Sequence, residues 1–217
     1  MTTASAVHMR TTRPIMRTLQ SGASLHDATV VLDDRVILRA VNVAVGPGLT
    51  LLRGPNGSGK TTLLRALAGL VPLARGERRV SGDALYIGHR PMLLRGLTAR
   101  ENLVFFARFR GGDTRGIDGA LRAWGVGEDM DRPVERLSAG ERRRAALARV
   151  ETERVALLLM DEPFADLDDA GVSRLRQTIA RARDDGRTIV VATHAHPELD
   201  ELARARIAID DGTATAA

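Results

Sequence analysis

The stretch "GPNGSGKT" (residues 54–61) decides the fold, because its pattern G-x-x-x-x-G-K-[ST] lies between a predicted strand, "LTLLR", and a predicted helix, "TTLLRALAGL". Glycines in this turn let backbone N–H groups face a polyphosphate without obstruction, and the helix N-terminus adds a partial positive charge. The Lys60 ammonium can reach the β- and γ-phosphates, and the Thr61 hydroxyl can ligate Mg²⁺. The residues predicted to contact a nucleotide polyphosphate are Gly54, Pro55, Asn56, Gly57, Ser58, Gly59, Lys60, Thr61 and Thr62.

The composition is that of a soluble globular protein, with 44% apolar and 27% charged residues in a chain of 217, enough for one core. The chain contains no cysteine, which excludes disulfides and thiolate metal sites. Its apolar runs, such as "VALLLM" (155–160), are far shorter than the roughly 18 to 20 residues of a membrane span. The N-terminus lacks the apolar segment of a signal peptide. These features predict a cytoplasmic protein.

The formal net charge is +5, and Lys60 is the only lysine among 32 lysine and arginine residues. A basic surface is compatible with nucleic acid or anionic lipid headgroups. The favoured interpretation is a solvated surface that uses arginine in place of lysine. The single lysine therefore needs a reason, and a tight phosphate-binding loop supplies one, because a guanidinium fork cannot easily replace a compact ammonium there.

Strand-like and helix-like segments alternate along the chain, which predicts an α/β fold with a mostly parallel central sheet flanked by helices. Residues 1–24 are polar, basic and aperiodic, and are predicted to be a disordered arm; residues 25–217 then form a single nucleotide-binding domain. The interval from about 90 to 150 reads as an inserted helical subdomain. Predicted strands are "ATVVL", "VILRAVNVAV", "LTLLR", "ALYIG", "VALLLM", "TIVVAT" and "ARIAI".

A second chemical motif follows the apolar strand, in "VALLLMDEP" (155–163). A buried strand that ends at Asp161 brings its carboxylate to the carboxyl edge of the sheet, where ligands bind in open α/β folds. Asp161 can hold Mg²⁺, as in the Walker B strand of phosphate-loop proteins, and Glu162 is placed to polarise an attacking water.

The segment "VERLSAGERRR" (134–144) contains a capping box, since Ser138 is followed three residues later by Glu141 ahead of an apolar run. A second box, Thr98 with Glu101, opens another predicted helix. Taken alone, "LSAGE" indicates only the beginning of a helix.

The order of these motifs resembles that of the ATP-binding-cassette (ABC) ATPases over about residues 30–210. "LSAGE" resembles the family signature LSGGQ, "ADLD" ends at Asp168, and "THAH" places His194 directly after a predicted strand. The resemblance implies an antiparallel β subdomain beside the central sheet. It also implies that Ser138 and Gly140 contact the γ-phosphate of ATP bound by a second subunit, that His194 holds the γ-phosphate and the water, and that Asp168 couples the two sites.

Within the family, the segments "YIGHRP", "LTARENLVFF" and "LSAGERRRAALAR" look most like the ATPases of haem exporters used in cytochrome c maturation. The implied protein is an ATPase that works with ATP and Mg²⁺ and powers a separate transmembrane permease. It would lie on the inner face of the cell membrane, paired head-to-tail with a second nucleotide-binding subunit, as a homodimer. No nucleic acid partner is expected.

Two positions depart from the family pattern. Arg90 stands where the family has a glutamine that touches Mg²⁺ and the transmembrane partner, and a guanidinium cannot ligate a cation. Glu141 replaces the signature glutamine, so its charge would oppose a partner's triphosphate unless Arg142 offsets it.

Three alternatives follow: the ATPase of another export system, an ABC ATPase associated with nucleic acid or ribosomes, and a degenerate regulatory cassette that binds ATP without hydrolysing it. The basic charge motivates the second, although the chain has neither a second cassette nor a long coiled-coil insertion. Arg90 and Glu141 motivate the third, although Lys60, Asp161 and Glu162 are all present.

Overall fold

The computed structural model describes residues 22–194 and 196–216. The predicted arm lies outside this part of the chain except for its last three residues. Of these, Ala23 and Ser24 already belong to the first strand, which begins earlier than its apolar segment indicates.

The strands of the described residues are β1 (Ala23–Leu32), β2 (Arg35–Val45), β3 (Gly48–Arg53), β4 (Arg75–Val80), β5 (Ala84–Ile87), β6 (Leu157–Asp161), β7 (Thr188–Ala192), β8 (Ala203–Asp210) and β9 (Thr213–Ala216). Six of them form a central sheet in the order β5-β6-β7-β3-β8-β9. All neighbours in this sheet are parallel except β8 and β9, which are antiparallel. The prediction of a mostly parallel central sheet is confirmed.

A separate antiparallel sheet has the order β2-β1-β4. Its strand β4 was not predicted, because five of the six residues in "RGERRV" are exposed and the sequence shows no apolar alternation. The strand exists because its backbone pairs with β1, for example Ala23 opposite Val80. This sheet is the antiparallel β subdomain that the family resemblance implies.

The helices are α1 (Lys60–Ala68), α2 (Ala99–Phe109), α3 (Ile117–Ala123), α4 (Ala139–Thr152), α5 (Asp169–Asp184) and the short α6 (Pro197–Asp200), with a 3-10 turn at Val134–Arg136. Both predicted capping boxes are present, at Thr98 with Glu101 and at Ser138 with Glu141. Helices α2, α3 and α4 follow one another between β5 and β6, in the interval predicted to be helical. None of the helices in the described ranges combines the length and the apolar character that crossing a membrane requires.

The central strands are covered on both faces. Every residue of β6 and β7 is buried. In β6, Leu158 and Met160 pack into one core with α4 and α5, whereas Leu157 and Leu159 pack into a second core with α1 and the antiparallel sheet. Successive side chains of a strand point to opposite faces, so a continuous apolar run is what two cores require.

Truncation of Leu158 tests this two-core arrangement. Leu158 is fully buried, so Leu158→Ala should lower the free energy of unfolding by about 2–5 kcal/mol through lost burial and the cavity left behind. The matched control, Leu70→Ala, removes the same atoms from a side chain that is 52% exposed and should cost about 0.5 kcal/mol or less. Denaturant unfolding curves measure both, and equal losses would contradict the arrangement.

Candidate functional site

The phosphate loop connects β3, at the centre of the sheet, to the N-terminus of α1. Two of its glycines show why this residue type is needed. Gly59 has φ of +108°, in the left-handed region. A Cβ atom on Gly54 would lie 2.1 Å from the carbonyl oxygen of Ile209 in β8. The loop is also tied to the turn after β8, because the Gly212 N–H donates to the Ser58 carbonyl at 3.1 Å.

Lys60 is buried at the first position of α1. Its Nζ donates to the carbonyl oxygens of Gly54 at 2.8 Å and Pro55 at 2.9 Å, so the ammonium lies across the loop that it would serve. Two of its three donors are used in this way, and the third is available to a ligand.

Thr61 and Asp161 meet across the carboxyl edge of the sheet. The Thr61 hydroxyl donates to Asp161 Oδ2 at 2.7 Å, although the two residues are 100 positions apart. The Tyr86 hydroxyl donates to the same oxygen at 3.3 Å. Burial, assisted by the Asp161 charge and opposed by Arg65, raises the pKa of Tyr86. Nothing in its own apolar segment distinguishes Tyr86 as a residue of the site.

Glu162 has an unusual environment. Its φ is +46°, in the left-handed region that a side chain rarely adopts, and its N–H donates to the Ala192 carbonyl at 2.9 Å. Its Oε1 atom is buried and accepts no hydrogen bond from any described residue, yet it lies 3.5 Å from His194 Nε2. Buried polar atoms are rarely left unpaired, so this oxygen is suited to accept a hydrogen bond from a ligand or a water in the cavity.

A cavity of about 230 Å³ joins these groups. Of the residues singled out in the sequence, its lining contains Asn56, Gly57, Gly59, Lys60, Thr61, Thr62, Asp161, Glu162 and His194. Gly54, Pro55 and Ser58 belong to the loop behind this lining. Ser138, Gly140 and Asp168 do not line it.

Arg53 is a further contact that sequence reasoning missed. Its Nη1 donates to the His194 carbonyl at 3.0 Å, and its Nη2 is 3.2 Å from both carboxylate oxygens of Asp200. The residue immediately before the phosphate loop therefore holds the backbone of His194. The sequence around Arg53 does not predict these contacts, because both partners lie more than 140 positions later in the chain.

The signature segment begins α4. Ser138 Oγ accepts from the Glu141 N–H at 3.2 Å, and Glu141 Oε2 accepts from the Ser138 N–H at 2.6 Å. The Arg142 guanidinium donates to the Leu137 carbonyl. A Cβ atom on Gly140 would meet Arg144 Nη1 at 3.3 Å. "LSAGE" is thus a helix start whose Glu141 carboxylate is bound to its own cap.

Asp168 is the N-cap of α5 and accepts from the Gly171 N–H at 2.8 Å. Its other carboxylate oxygen, Oδ2, lies 3.8 Å from Arg144 Nη1 in α4. Arg90, which follows β5, is exposed and does not line the cavity.

A glycine-rich loop between a central parallel strand and a helix, with a buried aspartate against the threonine that ends the loop, defines a phosphate-loop nucleoside triphosphatase. The chain belongs to the ABC transporter family, as its ATP-binding subunit: the family model described as "ABC transporter" matches residues 38–165. It is accordingly an ATPase.

Among curated relatives, the chain is 38% identical over 177 residues to the "Cytochrome c biogenesis ATP-binding export protein CcmA" of Gluconobacter oxydans, covering 81% of this chain and 82% of the relative. It is 43% identical over 155 residues to the protein of the same name in Paracoccus denitrificans, covering 71% and 73%. A solved "ATP binding subunit of ABC transporter" superimposes with a TM-score of 0.79 at 20% identity, over 90% of each chain, which shows the common fold.

Substitution of Lys60 tests the loop. Lys60→Ala should weaken ATP binding at least about tenfold, because a charge-assisted phosphate contact contributes roughly 1.5–3 kcal/mol. Lys60→Arg should also bind ATP weakly, because a guanidinium is larger than the ammonium that lies 2.8 Å and 2.9 Å from two carbonyl oxygens. Titration with a fluorescent ATP analogue measures both, with the exposed Arg176→Ala as control. Wild-type affinity in Lys60→Arg would contradict the steric argument.

Proposed function

We propose that this chain hydrolyses ATP as one of two identical subunits arranged head-to-tail, and that the pair powers a separate transmembrane permease from the inner face of the cell membrane. The permease would export haem for cytochrome c maturation. The observation that carries the catalytic part is the buried Glu162 Oε1 beside His194, which accepts a hydrogen bond from none of the described residues and belongs to the cavity that Lys60 and Thr61 line.

Lys60 binds the β- and γ-phosphates, while backbone N–H groups from Gly54 to Thr62 surround the polyphosphate. The Thr61 hydroxyl and Asp161 carboxylate are hard oxygen donors that already meet at 2.7 Å, a pair that fits Mg²⁺. These two residues would hold the ion, which when bound neutralises charge on the β- and γ-phosphates.

Glu162 orients the attacking water and accepts its proton as the water oxygen bonds to the γ-phosphorus and the bond from that phosphorus to ADP breaks. His194 contacts the γ-phosphate and the same water. Because Arg53 holds the His194 carbonyl, the histidine is fixed to the strand that carries the phosphate loop.

The second subunit supplies the rest of each site. Ser138 and Gly140 lie outside their own chain's cavity, at the N-terminus of α4, where free N–H groups and the helix dipole favour a phosphate. We assign them to the γ-phosphate of the partner's ATP. Asp168 links the two sites, and its proximity to Arg144 supports a connection with α4. Glu141 is tolerable here because its carboxylate is held by the Ser138 N–H.

The permease contact is assigned to an aromatic groove of about 580 Å³ formed by Leu70, Met92, Leu94, Phe105 and Phe109. All five side chains are exposed, and the rings of Phe105 and Phe109 stack 6.3 Å apart. The groove continues into the loop that carries Arg90, the position that the family resemblance assigns to the transmembrane partner. An amphipathic cytoplasmic helix of the permease fits an apolar groove of this kind.

The cargo is proposed from relatives whose names specify cytochrome c biogenesis and export. An ATPase subunit does not itself bind the cargo, so the choice between haem and another exported molecule depends on the permease.

Replacement of Glu162 tests hydrolysis. Glu162→Gln should lower turnover by about 10²–10⁴-fold, since it removes a general base while keeping the shape of the side chain. ATP binding should persist, and the variant should accumulate as an ATP-bound dimer in size-exclusion chromatography. Asp169→Asn, an acidic neighbour in the first turn of α5, is the control and should retain turnover. Unchanged phosphate release in Glu162→Gln would exclude the assignment.

The groove and the cargo are tested together with tagged chain produced in its native cells. Phe109, 78% exposed, should be needed for capture of the permease, so Phe109→Gln should abolish co-purification and lower covalent haem in c-type cytochromes. ATP binding should be unaffected. Val36→Gln, 40% exposed on the antiparallel sheet, is the matched control. The cargo would be another molecule if the wild-type chain captured the permease but deletion of its gene left the haem staining of c-type cytochromes normal.

A further inference from the structure

Arg143 is a buried cation in α4, five residues after the signature serine. Its side chain has 1% exposure, which places it among the largest fully buried side chains of the described residues. No carboxylate oxygen of a described residue lies within 4.0 Å of its guanidinium, although buried arginines normally pair with one.

The partners of Arg143 are instead main-chain carbonyls after two neighbouring parallel strands. After β5, Nη1 donates to Gly88 at 2.6 Å and to His89 at 3.3 Å. At the end of β6, Nη2 donates to Asp161 at 3.4 Å and to Glu162 at 2.5 Å, and Nε donates to Pro163 at 3.3 Å. One planar guanidinium therefore connects α4 to both segments.

The electrostatics match this arrangement. Burial lowers the pKa of Arg143, and the nearby charges of Asp166, Asp161 and Glu162 oppose that shift. The group remains a cation at neutral pH. Its fixed charge lies near the carboxylates of the site without lining the cavity, and its donors are used by main-chain carbonyls.

The Glu162 main chain is held from both sides. Its N–H donates to the Ala192 carbonyl of β7, and its own carbonyl accepts from Arg143 at 2.5 Å and, less closely, from the Ala165 N–H at 3.2 Å. A left-handed glutamate backbone is unfavourable by itself and persists only where the surroundings fix it. These three hydrogen bonds are such a constraint, and Arg143 supplies the shortest of them.

We propose that Arg143 is a positioning residue for hydrolysis: it holds the Glu162 main chain in the left-handed conformation that directs the carboxylate into the cavity beside His194. The proposal rests on the role of Glu162 given above. Because Arg143 belongs to the helix that begins at Ser138, displacement of α4 by a partner's nucleotide also displaces the support of Glu162.

The first experiment separates turnover from binding. Arg143→Gln should lower kcat by about 10- to 100-fold, the loss expected when a catalytic group is misplaced by about 1 Å. The Kd for a fluorescent ATP analogue should stay within about twofold of wild type, because no phosphate contact is removed. Arg176→Gln, an exposed arginine on α5, should change neither. A folded Arg143→Gln protein with wild-type kcat would overturn the proposal.

The second experiment asks whether Arg143 acts through Glu162. In a Glu162→Gln background, adding Arg143→Gln should lower the residual single-turnover rate no further and should leave the ATP-bound dimer intact. A further drop in rate, or loss of the dimer, would overturn the proposal, because Arg143 would then act on the signature segment and not through Glu162.

Arg143→Lys covers the case in which the glutamine variant does not fold. Lysine keeps the charge but cannot reach the carbonyls after β5 and those at the end of β6 at once, so kcat should fall while the Kd for ATP is retained. Wild-type kcat in this variant would overturn the proposal. Failure of the proposed function looks different. In that case the wild-type protein would release no phosphate, or Glu162→Gln would release it at the wild-type rate.

Discussion

The hydrogen bond from Thr61 to Asp161 depends on the register of the central sheet, and the site depends on that register in turn. Asp161 in β6 pairs with Ala192 in β7, and Ala192 pairs with Leu52 in β3. Asp161 therefore lies level with Leu52, two positions before the phosphate loop, and the strand β7 lies between them. A one-residue slip of these parallel strands would move each apolar side chain from the core it fills into the opposite one, so packing in both cores opposes it. Burial of leucine and valine thus sets the spacing of the polar groups.

The sequence was sufficient for features that are local or that follow a fixed motif. The continuous apolar runs of β6 and β7 predicted strands covered on both faces, and the capping boxes predicted where α2 and α4 begin. The motifs also singled out nine of the residues that line the cavity, but not Ile37, which lines it from β2. The strand β4 was missed because its side chains face solvent and its stability comes from backbone pairing with a distant strand.

The contacts of Tyr86, Arg53 and Arg143 could not be predicted for a related reason. Each depends on which strands become neighbours, and none has a signal in its own segment. Tyr86 reaches Asp161 only because β5 lies beside β6, and Arg143 reaches Gly88 across 55 positions of sequence. In an arginine-rich chain, one arginine that supports the backbone is indistinguishable in sequence from those that cover the surface.

The phosphate loop packs against a strand that comes far later in the chain. Gly54 lies against the Ile209 carbonyl, and the Gly212 N–H closes on Ser58. A nascent chain that ends after Glu162 already carries the phosphate loop and Asp161. It still lacks β8 and the turn at Gly212, against which the loop packs. During synthesis the ability to hold nucleotide should therefore arise late, after β8 has emerged and joined the sheet. Topology should in this way keep a half-made subunit from turning over ATP, without any dedicated inhibitor.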